Sequence, residues 1–256
     1  MSKSDFLRVA IDAALAAQDV IQKYYLSNLA ITIKEDLTPV TQADVETEEA
    51  IRKVISEHFP DHGFWGEELG QSNPDAEFTW LIDPIDGTKS FVRQYPLFST
   101  QIALMQHGEI ILGLSNAPIF EEMAWAERGQ GAFLNDQPIH ISEALPLEKA
   151  TLSFGNIVSL AQQTSQWAGL SKLVARAHRT RGYVDFFHYH LLAAGKIDLV
   201  LESDVNILDI AALSLIITEA GGIFTDLEGQ PITTKSTSVL AASCEALYNE
   251  AKAHLS

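Results

Sequence analysis

The stretch TWLIDPIDGTKSF, residues 79–91, places two aspartates three positions apart directly after an apolar run. The run Trp80–Ile82 has the composition of a strand that is buried on both faces. Pro84 has no N–H to donate to a ladder, so we expect it to end that strand. The carboxylates of Asp83 and Asp86 would then lie together at the strand's C-terminal end, where they repel each other unless a positive charge lies between them.

The same stretch offers ligands for a cation and for an anion. The proline makes a tight bend, so the carboxylates of Asp83 and Asp86 and the carbonyl of Ile85 can converge on one point. Oxygen ligands of this kind suit a hard divalent cation. Gly87 and Thr88 would begin a helix or a nest, whose backbone N–H groups can hold a phosphate. An ordinary acidic turn has the same composition, and this stretch alone leaves both interpretations open.

Three further acidic residues are candidates for the same site. Glu67, in the motif GEE at 66–68, follows a short strand and can reach the two aspartates if the strands are neighbours. A solvated loop carboxylate is the alternative. Asp209 and Asp44 each stand at the start of a predicted helix, where an N-cap role is the alternative. None of these three residues is sufficient on its own to identify a site.

The composition excludes several classes of protein. Among the 256 residues, 34 Asp and Glu against 17 Lys and Arg give a formal charge of −17, which argues against nucleic-acid or membrane partners. The single cysteine, Cys244, excludes an intrachain disulfide and fits a reducing compartment. Arg8 and Asp12 interrupt the N-terminal apolar pattern, and no apolar run reaches about 18 residues. We therefore expect a cytoplasmic protein.

The order of predicted elements indicates an α/β protein. Residues 4–25 have the apolar spacing of an amphipathic helix, and Asp44 opens a second helix after a polar loop. Short antiparallel strands follow, with a hairpin at His107–Gly108. Beyond residue 145 strands and helices alternate, with a helix expected around Val158–Ala168. We predict a layered α/β/α/β/α sandwich forming one unit, 1–256, with an α+β half at 1–145 that carries most candidate ligands and an α/β half at 146–256.

Taken together, the motifs resemble the inositol monophosphatase family of metal-dependent, lithium-sensitive phosphatases. The blocks appear in the family's order along nearly the whole chain: KEDLTPVTQAD at 34–44, GEE at 66–68, DPIDGTKSF at 83–91, and DIAA followed by EAGG within 209–222. The resemblance implies a magnesium-dependent hydrolase of a small phosphorylated substrate, and a homodimer.

The resemblance also assigns roles to individual residues. It implies two or three Mg²⁺ ions, which would be held by Glu67, Asp83, Asp86, Asp209, the carbonyl of Ile85 and the hydroxyl of Thr88. Glu67 would help to deprotonate the attacking water, assisted by Thr88 and its hydrogen-bond partner Asp44. The N–H groups of Gly87 and Thr88 would bind the phosphate. Whether Lys34 and Asp36 belong to a loop that closes over the site stays open.

The segment 179–202 resembles the histidinol-phosphate phosphatase branch of the family. That substrate carries an ammonium and an imidazole, so its pocket needs additional carboxylates, and Asp185 and Glu202 are the candidates. A helix N-cap is the alternative for Asp185, and we interpret His188 and His190 as structural or surface residues. Many family members have tryptophan immediately before the last metal aspartate, where this chain has Leu208. Inositol phosphate is the alternative substrate, and a non-catalytic regulator is a more distant alternative.

Overall fold

The structure, a computed structural model of the chain, describes residues 3–25, 31–33 and 39–255. The strands of this part are β1 (Ile31–Ile33), β2 (Pro39–Thr41), β3 (Gly63–Gly66), β4 (Gly70–Ser72), β5 (Phe78–Asp86), β6 (Ser99–Gln106), β7 (Glu109–Ala117), β8 (Glu122–Glu127), β9 (Ala132–Leu134), β10 (Gln137–Ile139), β11 (Thr151–Gly155), β12 (Arg179–Arg181), β13 (Leu199–Ser203), β14 (Ile223–Thr225) and β15 (Ser238–Ala242). The helices are α1 (Asp5–Tyr24), α2 (Gln42–His58), α3 (Thr88–Val92), α4 (Val158–Gln162), α5 (Thr164–Arg176), α6 (Asp185–Ala193), α7 (Ile207–Glu219) and α8 (Glu245–Leu255).

The larger sheet has eight strands in the order β10-β9-β8-β7-β6-β5-β3-β4. β6 and β7 form the predicted hairpin, and its turn residues His107 and Gly108 have φ values of 51° and 82°. Two successive positive φ angles match the twist of the flanking strands. β3 and β5 run parallel, with Gly66 opposite Ile82. Glu67, which follows β3, therefore lies beside the part of β5 that carries Asp83.

The smaller sheet has five strands in the order β12-β11-β13-β15-β14. β11 lies parallel to both of its neighbours, whereas β15 is antiparallel to β13 and β14. Helices α4, α5 and α8 cover its outer face through a core that includes Leu160, Leu173 and Leu247.

Helices α6 and α7 lie between the two sheets. Their core contains Leu81 and Ala103 from the larger sheet together with Val200 and Ala241 from the smaller one. Because α7 packs on both sides, it is apolar around most of its circumference. Helices α1 and α2 cover the other face of the larger sheet. The predicted α/β/α/β/α sandwich is confirmed, whereas the division of the chain at residue 145 stays a prediction.

Two predicted elements need correction. The helix expected around Val158–Ala168 is interrupted at Gln163, which has an extended backbone between α4 and α5. The polar loop expected between the first two helices contains the antiparallel pair β1 and β2. Lys34 and Asp36 lie outside the described residues. Among the described residues, no helix combines the length and the apolar character that crossing a membrane requires.

Candidate functional site

Three aspartates converge where the C-terminal end of β5 meets the N-terminal end of α7. One carboxylate oxygen from each of Asp83, Asp86 and Asp209 lies within 4.8 Å of the others. Asp83 is only 2% exposed, and the other two are half-buried. The structure therefore brings together the two aspartates of the 79–91 stretch with one that is more than 120 positions away in the sequence.

A β-bulge explains how Asp83 and Asp86 come to share one side of β5. Residues three apart in a regular strand point to opposite faces of the sheet. The register of β5 against β6 shifts between Asp83 and Asp86, and this irregularity reverses the expected alternation. The prediction that Pro84 ends the strand is therefore wrong. A proline needs no ladder partner at a bulge, and its carbonyl accepts a hydrogen bond from Thr100 Oγ1 at 2.9 Å.

The electrostatics of the three aspartates are those of a crowded, buried carboxylate cluster. Burial, followed by the charges of Glu67 and Asp86, raises the pKa of Asp83 well above its ordinary value. Burial and the charge of Asp185 do the same to Asp86. Burial also raises the pKa of Asp209, to about 7. The cluster therefore resists carrying its full negative charge.

This donor set fits a hard divalent cation. Carboxylate oxygens are the ligands that such cations take, and a bound cation would favour the ionised carboxylates that burial and mutual repulsion disfavour. Within the described residues, no lysine or arginine forms a salt bridge with any of the three aspartates. A metal ion would supply the positive charge that no described lysine or arginine supplies by an ion pair with these aspartates.

The raised pKa values predict that the metal-free protein loses stability as the pH rises. The folded-state pKa of Asp209, about 7, lies above the ordinary value of 3.8, so folding favours the protonated acid. This contribution is complete below about pH 4 and is lost as the pH passes through about 7. We expect the melting temperature of chelator-treated protein to fall on the order of 10 °C between pH 5 and pH 8.

Thermal unfolding followed by circular dichroism checks this expectation. Addition of magnesium at pH 8 should recover most of the lost stability, because ligand binding to the folded state stabilises it. The control variant Asp209→Asn should show a smaller pH dependence than the parent protein. A metal-free protein that is more stable at pH 8 than at pH 5 would contradict the burial of these carboxylates.

The start of α3 carries the predicted phosphate-binding residues. Gly87 has a φ of 88°, and a Cβ at this position would lie 2.6 Å from the carbonyl oxygen of Leu97, so the turn requires glycine. The Thr88 hydroxyl lies 3.0 Å from the carbonyl oxygen of Ile85 and 3.2 Å from Oδ1 of Asp44, which is 1% exposed. Asp44 lies inside α2 rather than at its N-cap, so that alternative is wrong.

Glu67 extends from the loop after β3 into the same region. Its side chain is exposed, lines the cleft described below and interacts with Asp83. The loop is held by the fully buried Glu48, whose Oε2 accepts hydrogen bonds from the N–H groups of Glu68 (2.7 Å) and Leu69 (3.2 Å). Arg52 pairs with Glu48 at 2.7 Å. The sequence reasoning missed this support, although Glu48 occupies the inward-facing stripe of α2.

Asp209 is the third residue of α7 and belongs to a capping box. Asn206 is the N-cap, and its N–H and side-chain amide both donate to Asp209, at 2.7 and 2.8 Å. The N-cap lies three residues before Asp209, so the N-cap alternative for Asp209 is wrong. Ile207 and Leu208, which occupy the positions before this aspartate, are buried in the core between the sheets.

A second carboxylate pair lies beyond the aspartate cluster. Burial and the charge of Glu202 raise the pKa of Asp185 to about 6. Glu202 is 2% exposed, and its Oε2 accepts the hydroxyl of Tyr189 at 2.5 Å and lies 3.2 Å from His188 Nε2. Its Oε1 has no hydrogen-bond partner. Both histidines of this region are buried, and His190 pairs with Glu122 at 3.1 Å.

The backbone before α6 is unusual. Val184 and Asp185 have φ values of 45° and 47°, a conformation that costs a β-branched residue such as valine free energy. Val184 occupies the N-cap position, so the N-cap alternative for Asp185 is wrong. Both residues line the cleft.

A cleft of about 340 Å³ joins these groups. Its lining residues are Glu67, Asp83, Ile85, Asp86, Gly87, Thr88, Lys89, Ser90, Tyr95, Asn156, Val184, Asp185 and Asp209. Lys89 is the single basic side chain among these lining residues, and the sequence reasoning did not identify it. Glu202 lies behind the cleft wall, close enough to Asp185 to raise its pKa.

Comparisons with known proteins show similarity along most of the chain. The family model described as the inositol monophosphatase family matches residues 2–256. The histidinol-phosphatase of Mycobacterium tuberculosis is 36% identical over 233 residues, covering 88% of each chain. The inositol-1-monophosphatase of Mesorhizobium japonicum is 30% identical over 257 residues, covering 95% of this chain and 93% of that protein. The crystal structure of extragenic suppressor protein suhB from Bartonella henselae superposes with a TM-score of 0.91 at 30% identity, covering 98% of each chain.

Proposed function

The chain belongs to the inositol monophosphatase family and is a phosphomonoesterase, and we propose that its substrate is histidinol phosphate and its cofactor Mg²⁺. The carboxylate pair Asp185 and Glu202, which lies beyond the three-aspartate cluster, carries this proposal. A substrate with a cationic body matches these groups, whereas a neutral polyol brings no positive charge to them. The likeness to the histidinol-phosphatase of M. tuberculosis supports the same choice.

The groups that would hold magnesium are the carboxylates of Asp83, Asp86, Asp209 and Glu67 and the carbonyl of Ile85. Bound magnesium lowers the pKa of a water molecule and neutralises charge on the oxygens of the phosphate ester. These ligands would hold two or three Mg²⁺ ions. The negative charge of the chain is compatible with an anionic substrate on this basis, because a cation reverses the local sign of the site.

The remaining residues of the cleft orient the substrate and move protons. The first N–H groups of a helix lack partners within it, so those of Gly87 and Thr88, at the start of α3, can bind phosphate oxygens. Glu67, an exposed residue of the cleft, would accept a proton from the attacking water. The buried Asp44 holds the Thr88 hydroxyl, which keeps this side chain oriented toward the site.

The body of the ester would lie beside Asp185. Asp185 lines the cleft and would accept the primary ammonium or the imidazole of histidinol phosphate. Glu202 would add negative charge from behind the wall. The homodimer and the cytoplasmic location stay predictions.

The experiment that tests this function is phosphate release from histidinol phosphate and from inositol 1-phosphate, measured side by side with magnesium and with a chelator. We expect turnover that requires magnesium and a higher kcat/KM for histidinol phosphate. A preference for inositol 1-phosphate would overturn the substrate assignment and leave the metal site in place. Release of phosphate from either ester in the presence of chelator would instead overturn the metal requirement.

A further inference from the structure

A row of polar side chains crosses the buried centre of the larger sheet. Ser99, Gln101 and Ser115 are 0%, 1% and 0% exposed. Ser99 lies opposite Asp86 in the ladder between β5 and β6, and Gln101 lies opposite Ser115 in the ladder between β6 and β7. Residues two apart in a strand share a face, so Ser99 and Gln101 point to the same side of β6.

These side chains form an unbroken series of hydrogen bonds from Asp86 to α6. The Ser99 hydroxyl donates to Asp86 Oδ2 at 3.4 Å. The Gln101 amide nitrogen donates to Ser99 Oγ at 2.7 Å and to Ser115 Oγ at 3.0 Å. Ser115 Oγ lies 2.8 Å from His190 Nε2. The series is closed by Glu122 Oε2, 3.1 Å from His190 Nδ1.

The groups around His190 define the direction of the hydrogen bonds at their end of the series. Burial lowers the pKa of His190, although Glu122 opposes this effect, and Lys196 acts in the same direction as burial. The neutral ring donates Nδ1–H to the Glu122 carboxylate, so Nε2 is left to accept the Ser115 hydroxyl. The Ser115 hydroxyl donates its proton to His190, so toward Gln101 it can only accept a hydrogen bond, which the amide nitrogen donates.

The orientation of the Gln101 amide follows from the other end of the series. As an ionised metal ligand, Asp86 can only accept hydrogen bonds, so the Ser99 hydroxyl must donate to it. Ser99 Oγ then needs a donor, which the Gln101 nitrogen provides. With the amide reversed, its oxygen would compete with Asp86 for the Ser99 hydroxyl. The orientation that serves Asp86 leaves the Gln101 oxygen buried without a partner.

An unpaired buried oxygen costs free energy, and an apolar side chain at position 101 would avoid that cost. Building on the proposed magnesium site, we infer that Ser99, Gln101, Ser115 and His190 form a relay of positioning residues that fixes one carboxylate oxygen of Asp86. With Oδ2 held by Ser99, Oδ1 of Asp86 is left for the cation. The relay thereby makes metal affinity depend on residues that contact neither metal nor substrate.

The test is a double-mutant cycle on magnesium affinity, with the metal titrated alone by calorimetry. Ser99→Ala removes the hydroxyl that contacts Asp86, and we expect it to weaken Mg²⁺ binding on the order of 10-fold. Ser115→Ala leaves that contact in place and should weaken binding about 3-fold, because Gln101 loses one of its two acceptors and its link to His190. The double variant should bind no more weakly than Ser99→Ala, since Ser115 acts through Ser99.

Ser142→Ala is the matched control, because it removes a hydroxyl–carboxylate hydrogen bond of 2.6 Å to Asp198, outside the series. It should leave Mg²⁺ affinity unchanged. A second pair of variants tests the far end: His190→Gln keeps an acceptor near the Nε2 position and should retain affinity, whereas His190→Phe should weaken it. Melting temperatures separate these effects from loss of folding.

Three outcomes would overturn the relay: Mg²⁺ affinity unchanged in Ser115→Ala, effects of the two serine substitutions that multiply, or equal affinity in His190→Gln and His190→Phe. These outcomes leave the proposed function intact. If the parent protein binds no Mg²⁺ in the same titration, the proposed magnesium site fails and the relay fails with it.

Discussion

Asp83→Asn is expected to lower kcat/KM for a phosphate ester at least about 10³-fold at saturating magnesium. Asp83 is the most buried of the three clustered aspartates, and the amide that replaces it is a weaker, neutral ligand. Charge stabilisation by a metal in a phosphoryl site is worth several kcal/mol, and each 1.4 kcal/mol corresponds to about a factor of ten in rate. Steady-state kinetics over a range of Mg²⁺ concentrations measures this loss.

Stability distinguishes loss of the metal site from loss of the fold. Because the pKa of Asp83 is raised well above its ordinary value, the metal-free protein favours a neutral group there, and asparagine provides one. Its Oδ1 can still accept the hydrogen bond that Ile85 N–H donates at 3.0 Å. We therefore expect a metal-free melting temperature no lower than that of the parent, with little further stabilisation by Mg²⁺.

The control for Asp83→Asn is Asp136→Asn, a substitution of an exposed aspartate whose side chain pairs with Lys3 at 2.8 Å. It should leave kcat/KM and the response to Mg²⁺ as they are in the parent. Retention of the parent's kcat/KM in Asp83→Asn would refute the role of this residue as a metal ligand.

Asp185→Asn is expected to lower kcat/KM for histidinol phosphate about 30-fold at pH 8 while changing that for inositol 1-phosphate little. At this pH, above its pKa of about 6, Asp185 is ionised in the folded protein and can pair with a cationic substrate group. Removing one partner of a desolvated charge pair costs about 2 kcal/mol or more. The ratio of the two kcat/KM values, measured in the same preparation, reports the change in specificity.

Inositol 1-phosphate serves as the internal control for this variant, because it tests the phosphate and metal groups without a cationic body. A parallel loss on both substrates would show that Asp185 supports the fold or the metal site rather than specificity. An unchanged ratio with full activity on both would remove Asp185 from the pocket altogether.

Local sequence predicted some residues of the candidate site better than others. The stretch 79–91 and the GEE motif at 66–68 led directly to Glu67, Asp83 and Asp86, because both motifs lie at the same end of the parallel strands β3 and β5. The predicted end of β5 at Pro84 was wrong, since a proline at the end of a strand and a proline at a bulge have the same local composition. Only the pairing with β6 distinguishes the two.

For other residues, the sequence indicated a structural role or a helix face but not the residues that they contact. His188 and His190 were expected to be structural or surface residues, and both are buried beside carboxylates from distant strands. Glu48 was not predicted to hold the loop of Glu67, although its spacing placed it on the inner face of α2. A sequence shows which side of a helix a residue occupies, whereas the group opposite depends on which element packs there.

By itself, then, the sequence determined the layered α/β class, the family and the carboxylates at the end of β5, because hydrophobic periodicity and short motifs are local properties of a chain. The tertiary structure alone decided that Asp209 joins Asp83 and Asp86, that Asp185 and Glu202 lie close together, and that a row of buried polar groups connects Asp86 to His190. These are contacts between residues far apart in the sequence. They form because packing two sheets around α6 and α7 brings distant strand ends to one place.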